Sequence, residues 1–247
     1  AEIIESGFES DVYVGTSLVT MYGQCRSLDG SIRMFQKMHA QNVVTWNAVA
    51  ATYVQNGEYS KALEFFWLMQ LKNVTPSCIS FLTILEACRK LEDGYSVHGY
   101  ACYFGFDSDA LVSTAFVTLY GKLGSLEDAR ELFDKIKFKT IISWNTMISV
   151  YAQSDRFDMA LKCLEFMQKE GIKPDDVTFI SILSSCSHMG LVTEFFNYLN
   201  CMKGNHGIKP DMKHYTCMID LLGHVGMLDE AGNVKRIIGD DVISWIS

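Results

Sequence analysis

The chain repeats itself, and this constrains its fold more than any other property. The segment Val43-Val44-Thr45-Trp46-Asn47 returns as Ile141-Ile142-Ser143-Trp144-Asn145, with Trp46 and Trp144 98 residues apart. At the same offset Tyr22-Gly23 matches Tyr120-Gly121, Pro76 matches Pro174 and Cys88 matches Cys186. A fixed period means one supersecondary unit used repeatedly, each copy too small to bury its own apolar face and stabilised by stacking on its neighbours. Inside the long unit three shorter motifs follow one another, at 12–42, 43–77 and 78–109, of 31, 35 and 32 residues. A second round runs 110–140, 141–175 and 176–211, and a partial third runs from 212 to about 241. That division gives seven motifs, with fragments at 1–11 and 242–247.

Each motif has helical periodicity in two stretches. Trp46, Val49, Ala50 and Tyr53 fall on one helix face, and Ala62, Phe65, Phe66 and Met69 on another, with the turn signal Asn56-Gly57-Glu58 between them. Leu126, Ala129, Leu132, Phe133 and Ile136 repeat the pattern after Gly124-Ser125. All three prolines, Pro76, Pro174 and Pro210, stand one residue before a motif's last position, where one helix must stop and another start. The expected fold is all-α, a superhelical solenoid of stacked helix-turn-helix repeats.

Composition narrows the function. With 49% hydrophobic and 20% charged residues the chain has ample material for a core. Its net charge of -8 argues against gripping a phosphate backbone over the whole surface. This leaves room for RNA binding only if carboxylates such as Glu127, Asp128, Glu131 and Asp134 sit on outer helices. The eight cysteines are scattered and unnecessary as staples in a chain this long, so they read as reduced, intracellular thiols. No apolar run is long enough to span a bilayer. Residues 1–11 have neither a signal-peptide nor a transit-peptide pattern, and the chain reads as starting inside a longer array.

The segments Thr45-Trp46-Asn47-Ala48 and Ser143-Trp144-Asn145-Thr146-Met147-Ile148, followed by Ala62-Leu63-Glu64-Phe65-Phe66 or Ala160-Leu161, closely resemble pentatricopeptide repeats. The joint Glu170-Gly171-Ile172-Lys173-Pro174-Asp175 strengthens the likeness, because tetratricopeptide repeats lack it. The mixture of motif lengths resembles the plant organellar subclass that alternates P, L and S motifs. On that pattern 1–11 ends a long-type repeat, 12–42 and 110–140 are S-type, 43–77 and 141–175 P-type, and 78–109 and 176–211 L-type. The segment 212–241 is then the last S-type repeat, and 242–247 opens a C-terminal extension. The segments from Val177 to His188 and from His214 to Gly223 resemble the last long and last short motifs before such an extension. Two departures stand out: 78–109 is about three residues short for a long motif, and the last motif lacks a proline near Gly239.

The resemblance implies single-stranded RNA as partner, one base per repeat, read by two or three side chains. A residue early in a first helix and the residue just before the next first helix form the reading pair. Those places hold Thr16 with Asn42, Asn47 with Ser77, Asn145 with Asp175, and Thr216 with Asp241. By the family's recognition code they favour adenine, cytosine, uracil and guanine. Thr114 with Thr140 is a weak pair, and Leu82 with Asp109 and Ile180 with Asp211 carry an aliphatic member that cannot read a base edge. The expected site is 5'-A-C-n-n-U-n-G-3', with Val44 and Ile142 flanking bases. The resemblance further implies a mitochondrial or chloroplast RNA-processing factor, C-to-U editing above all, with editing-complex proteins or a deaminase acting in trans. The competing reading is a helical scaffold that binds peptide or protein partners along the array.

Catalytic and metal chemistry find no footing. A zinc deaminase needs His-x-Glu and Cys-x-x-Cys. None of His39, His98, His188, His206, His214 and His224 has Glu two residues on, and no two cysteines stand three apart. Cys186 with His188 and Cys217 with His224 lie on apolar helices without a second cysteine pair, so packing is the reading and no metal or cofactor is expected. Trp46 and Trp144 read as core. For Asn47 and Asn145 the bland alternative is a helix-start residue that only caps the first turn.

Overall fold

The computed structural model describes residues 11–227. Asp241, and with it the Thr216–Asp241 pair, most of the 1–11 fragment, the end of the 212–241 motif and the 242–247 extension lie outside the described residues. The chain divides into two compact units, 1–123 and 124–247. Among the described residues there are thirteen α-helices, one single-turn 3-10 helix at Phe106–Ser108 and no strand. The first unit contains α1 (Val12–Gln24), α2 (Leu28–Lys37), α3 (Val43–Gln55), α4 (Tyr59–Leu71), α5 (Cys78–Leu85), α6 (Leu91–Tyr103) and α7 (Ala110–Lys122). The second contains α8 (Leu126–Lys135), α9 (Ile141–Gln153), α10 (Phe157–Lys169), α11 (Asp176–Met189), α12 (Val192–His206) and α13 (Met212–His224).

In the first unit α1 packs on α3, α3 on α5 and α5 on α7, so the first helices of successive hairpins form one layer. The second helices α2, α4 and α6 each fill the space between their own first helix and the next. The second unit repeats the scheme, α9 on α11 and α11 on α13, with α10 and α12 behind. No hairpin here could bury its apolar stripe alone; each depends on the next.

Aromatic rings fill the space between hairpins. Trp46 is 4% exposed and meets Phe35 of the preceding hairpin edge-on at 5.0 Å and Phe65 of its own at 4.6 Å. Trp144, also 4% exposed, meets Phe133 at 4.8 Å. These rings are core, and burying one such side chain contributes on the order of 2–3 kcal/mol. The shortfall of the 78–109 motif falls on its first helix: α5 has 8 residues where α1, α3, α7, α9 and α13 have 13.

Charge is sorted between the layers. Helices α1, α3, α5 and α9 contain no Asp, Glu, Lys or Arg, whereas α8 contains Glu127, Asp128, Arg130, Glu131, Asp134 and Lys135. The four carboxylates expected on outer helices therefore all lie on a second helix. Two of them are paired there, Asp134 with Arg130 at 2.7 Å and Glu131 with Lys135 at 2.6 Å. The first-helix layer is close to neutral in both units. No helix among the described residues is long and apolar enough to cross a membrane.

Candidate functional site

The joints between hairpins share one construction. Each first helix begins directly after a Ser, Thr, Asn or Asp whose side chain accepts hydrogen bonds from the helix's first free backbone N–H groups: Asp11, Asn42, Ser77, Asp109, Thr140, Asp175 and Asp211. These residues occupy the extended backbone that a cap requires, for example φ -122° and ψ 175° at Asn42. In five of the seven the third helical residue reaches back to the cap's own N–H: Thr45, Ser80, Ser143, Thr178 and His214. The preceding second helices stop cleanly. Gly171, at φ +79°, lets Ile172 N–H return to Met167 O at 3.1 Å, the chain reversal that a side chain at that φ would strain. All three prolines lie in these joints, where no helical N–H is lost.

The helix-start alternative for Asn47 and Asn145 fails, because the caps are Asn42 and Thr140. Both asparagines lie a full turn inside their helices, 9% and 8% exposed. Each reaches across to the next joint. Asn145 Nδ2 donates to Asp175 Oδ1 at 2.9 Å, and Asn47 Nδ2 donates to Ser77 Oγ at 3.3 Å. Residues thirty positions apart are thus brought together by the stacking of one first helix on the next. Burial pushes the Asp175 carboxyl up. The Thr178 backbone N–H, the Asn145 amide and the Thr178 hydroxyl outweigh it and hold the group below the usual carboxylate range.

The remaining pairs are less closely joined. Thr16 and Asn42 line one open cleft with Tyr13, Ser17 and Val44, while the Thr16 hydroxyl donates back to Val12 O at 2.6 Å. Thr114 and Thr216 turn inward in the same way, onto Ala110 O and Met212 O. Thr140 caps α9 and belongs to the other unit from Thr114. Leu82 and Ile180 are half-buried. Their partners Asp109 and Asp211 act as caps; Asp211 Oδ1 also lies 2.6 Å from Nδ1 of His214.

Val44 and Ile142 are 56% and 60% exposed, unusual for side chains of their type. They are the second residues of α3 and α9. The same place holds exposed Tyr13, Ile79, Leu111 and Val177 in α1, α5, α7 and α11. These four were legible in the sequence by counting one residue on from each motif start. Every described first helix except the last therefore exposes one apolar side chain at its second position; α13 has Lys213 there.

Cys186 is fully buried, and burial pushes its thiol up to about 12, the reverse of the thiolate that a metal needs.

Stacked hairpins joined by capped turns, most with an exposed apolar side chain at the start of the first helix, define a helical-repeat protein. The PPR repeat family model matches residues 41–90 and 139–188, and the PPR repeat model matches 16–43, 112–141, 177–206 and 213–234. The chain belongs to the pentatricopeptide repeat family. A pentatricopeptide repeat-containing protein of Arabidopsis thaliana is 39% identical over 94% of this chain and 38% of its own length. The chloroplastic pentatricopeptide repeat-containing protein CRR2 of the same plant is 38% identical over 96% of this chain and 37% of its own. The chain thus spans little more than a third of these relatives. Among solved structures, the pentatricopeptide repeat protein PPR10 in complex with an 18-nt psaJ RNA element matches with a TM-score of 0.60 at 21% identity, covering 97% of this chain and 41% of that one. PPR10 from maize matches at 0.58. These likenesses show the fold.

Proposed function

We propose that this chain binds single-stranded RNA in a sequence-specific manner, one base per repeat, on the joint end of its first-helix layer. The observation that carries the reading is the polar pair bridging adjacent hairpins, Asn145 with Asp175 and Asn47 with Ser77, each beside an exposed apolar side chain. An unstacked base offers an edge to hydrogen-bond and a face to cover, and the joint presents one group for each. The near-neutral first helices fit a binder that reads bases rather than gripping phosphates, so the salt dependence of affinity is expected to be shallow. Membership of the pentatricopeptide family and the likeness to an RNA-bound member support the reading.

The finer assignment follows the family pattern: S-, P- and L-type motifs in the order given by the sequence, a site 5'-A-C-n-n-U-n-G-3', and a role as the specificity module of a plant organellar RNA-processing factor, C-to-U editing foremost. Catalysis would be supplied by a deaminase or editing complex acting with it, and residence in chloroplast or mitochondrion follows. A chloroplastic relative supports the organellar setting.

The test is selection from a random RNA pool followed by sequencing, for the chain and for Asn145→Thr. The parent should enrich the seven-nucleotide site, and the variant should move the fifth position from uracil toward guanine. A pool that enriches no motif would instead favour a scaffold for protein partners.

A further inference from the structure

Asn145 is held by more than its partner Asp175. The Thr178 hydroxyl, on the next first helix, donates to Asn145 Oδ1 at 2.5 Å, and Asp175 N–H donates to Thr178 Oγ1 at 3.1 Å. Thr178 is fully buried. The same hydroxyl lies 2.9 Å from Asp175 Oδ1, so its single proton is shared between that carboxylate and the closer Asn145 carbonyl. With Oδ1 turned toward Thr178 and one Nδ2 hydrogen given to Asp175, the Asn145 amide is fixed in orientation, and the hydrogen it leaves for a base is its second Nδ2–H, a donor. Asp175 Oδ1 is taken up by the Asn145 amide, the Thr178 N–H and the Thr178 hydroxyl, leaving Oδ2 as acceptor.

The other asparagine joint differs. Ser80 stands where Thr178 does, but its hydroxyl lies 3.2 Å from Ser77 Oγ. Among the described residues no hydrogen bond reaches Asn47 Oδ1, which keeps its lone pairs. One asparagine amide is therefore held in place through its carbonyl and the other is not.

We infer that Thr178 is a specificity-determining positioning residue: by holding the carbonyl of Asn145 on its own side it fixes the amide with Nδ2–H toward the base, so the Asn145–Asp175 joint favours uracil over cytosine. Uracil presents an acceptor at O4 and a donor at N3, matching a free amide hydrogen and a free carboxylate oxygen. Cytosine presents an amino group at the O4 position, which would meet a donor with a donor. At Asn47 the open carbonyl can accept from that amino group. The inference rests on the base-reading proposal above, and extends it to a third side chain on the following repeat.

The experiment measures affinities of the chain for two RNAs, 5'-A-C-n-n-U-n-G-3' and its copy with C at the fifth position. Thr178→Val removes the hydroxyl at nearly constant volume. The U-over-C preference should shrink by roughly three- to ten-fold, the worth of one hydrogen bond, through a gain for the C-containing RNA. A merely structural loss would lower both affinities together. Thr178→Ser, which keeps the hydroxyl, should restore the preference. If the valine variant does not fold, as judged by circular dichroism, Thr178→Ala reads the same ratio. An unchanged ratio in a folded variant overturns the role of Thr178 alone. A parent chain that fails to distinguish U from C there overturns the Asn145–Asp175 reading and the inference together.

Discussion

Asp175 serves two structural functions, and separating them gives a quantitative test. Its carboxylate caps α11, accepting from Thr178 N–H at 2.9 Å, and accepts from the nearly buried Asn145 amide at 2.9 Å. Asp175→Ala removes both. Loss of the cap costs about 1 kcal/mol. Leaving the Asn145 amide facing a void costs about 1–3 kcal/mol more, because a buried donor without an acceptor loses its hydration uncompensated. The expected total is roughly 2–4 kcal/mol. Asp109 provides the control: it caps α7 through Leu111 and Val112 N–H groups, its first-helix counterpart Leu82 has no donor to strand, and across the joint it meets only the weak Cys78 thiol donor at 4.0 Å. Asp109→Ala should therefore cost only about 1 kcal/mol. Urea denaturation followed by circular dichroism reads both losses. In an array where each repeat leans on the next, damage at one joint registers in the transition. Asp175→Asn, which keeps an acceptor oxygen, should fall well below Asp175→Ala. Equal losses for Asp175→Ala and Asp109→Ala would refute the reasoning, since the bridge to Asn145 would then contribute nothing.

Two further outcomes are expected. The carboxyls of Asp175 and Asp211 are held below their usual range, at Asp211 through its hydrogen bond to His214 against the opposing effect of burial. A group whose pKa is lower folded than unfolded stabilises the fold above the unfolded value, about 3.9 for Asp, and loses that contribution as pH falls through the lower folded value. Urea midpoints should therefore hold from neutrality toward pH 5 as far as these groups are concerned and drop below pH 4, with a shallower drop in Asp175→Asn; parallel profiles would count against it. Ile142→Ser, at a 60% exposed position, should change stability by less than about 0.5 kcal/mol while weakening RNA binding, and a stability loss without an affinity loss would assign the side chain to packing.

Much of this architecture is legible in the sequence because stacking imposes a period. The Asn56-Gly57-Glu58 turn, the prolines and the helical spacing of Trp46, Val49, Ala50 and Tyr53 each mark a feature that a local rule can detect. The capping role of the last residue in each motif was equally available, as a Ser, Thr, Asn or Asp before every first helix, yet the sequence directs attention to the asparagines as helix-start residues. The pairing of Asn145 with Asp175 was named from the family pattern, but the hydrogen bond between them and the part played by Thr178 were not legible. Both depend on how far one first helix is displaced against the next, and linear spacing does not encode that displacement. The difference between Thr178 and Ser80 is likewise a matter of one hydroxyl's direction.

Each joint's last residue caps a helix and, on the proposed reading, also meets a base. The residue types that can end a turn in this way are few, and they differ from one another in donors, acceptors and charge. Exchanging one for another leaves the helix its cap while altering what the joint offers a nucleotide. An array built so can be rewritten one letter at a time, because the alphabet it spells with is the set of residues its helices need in order to begin.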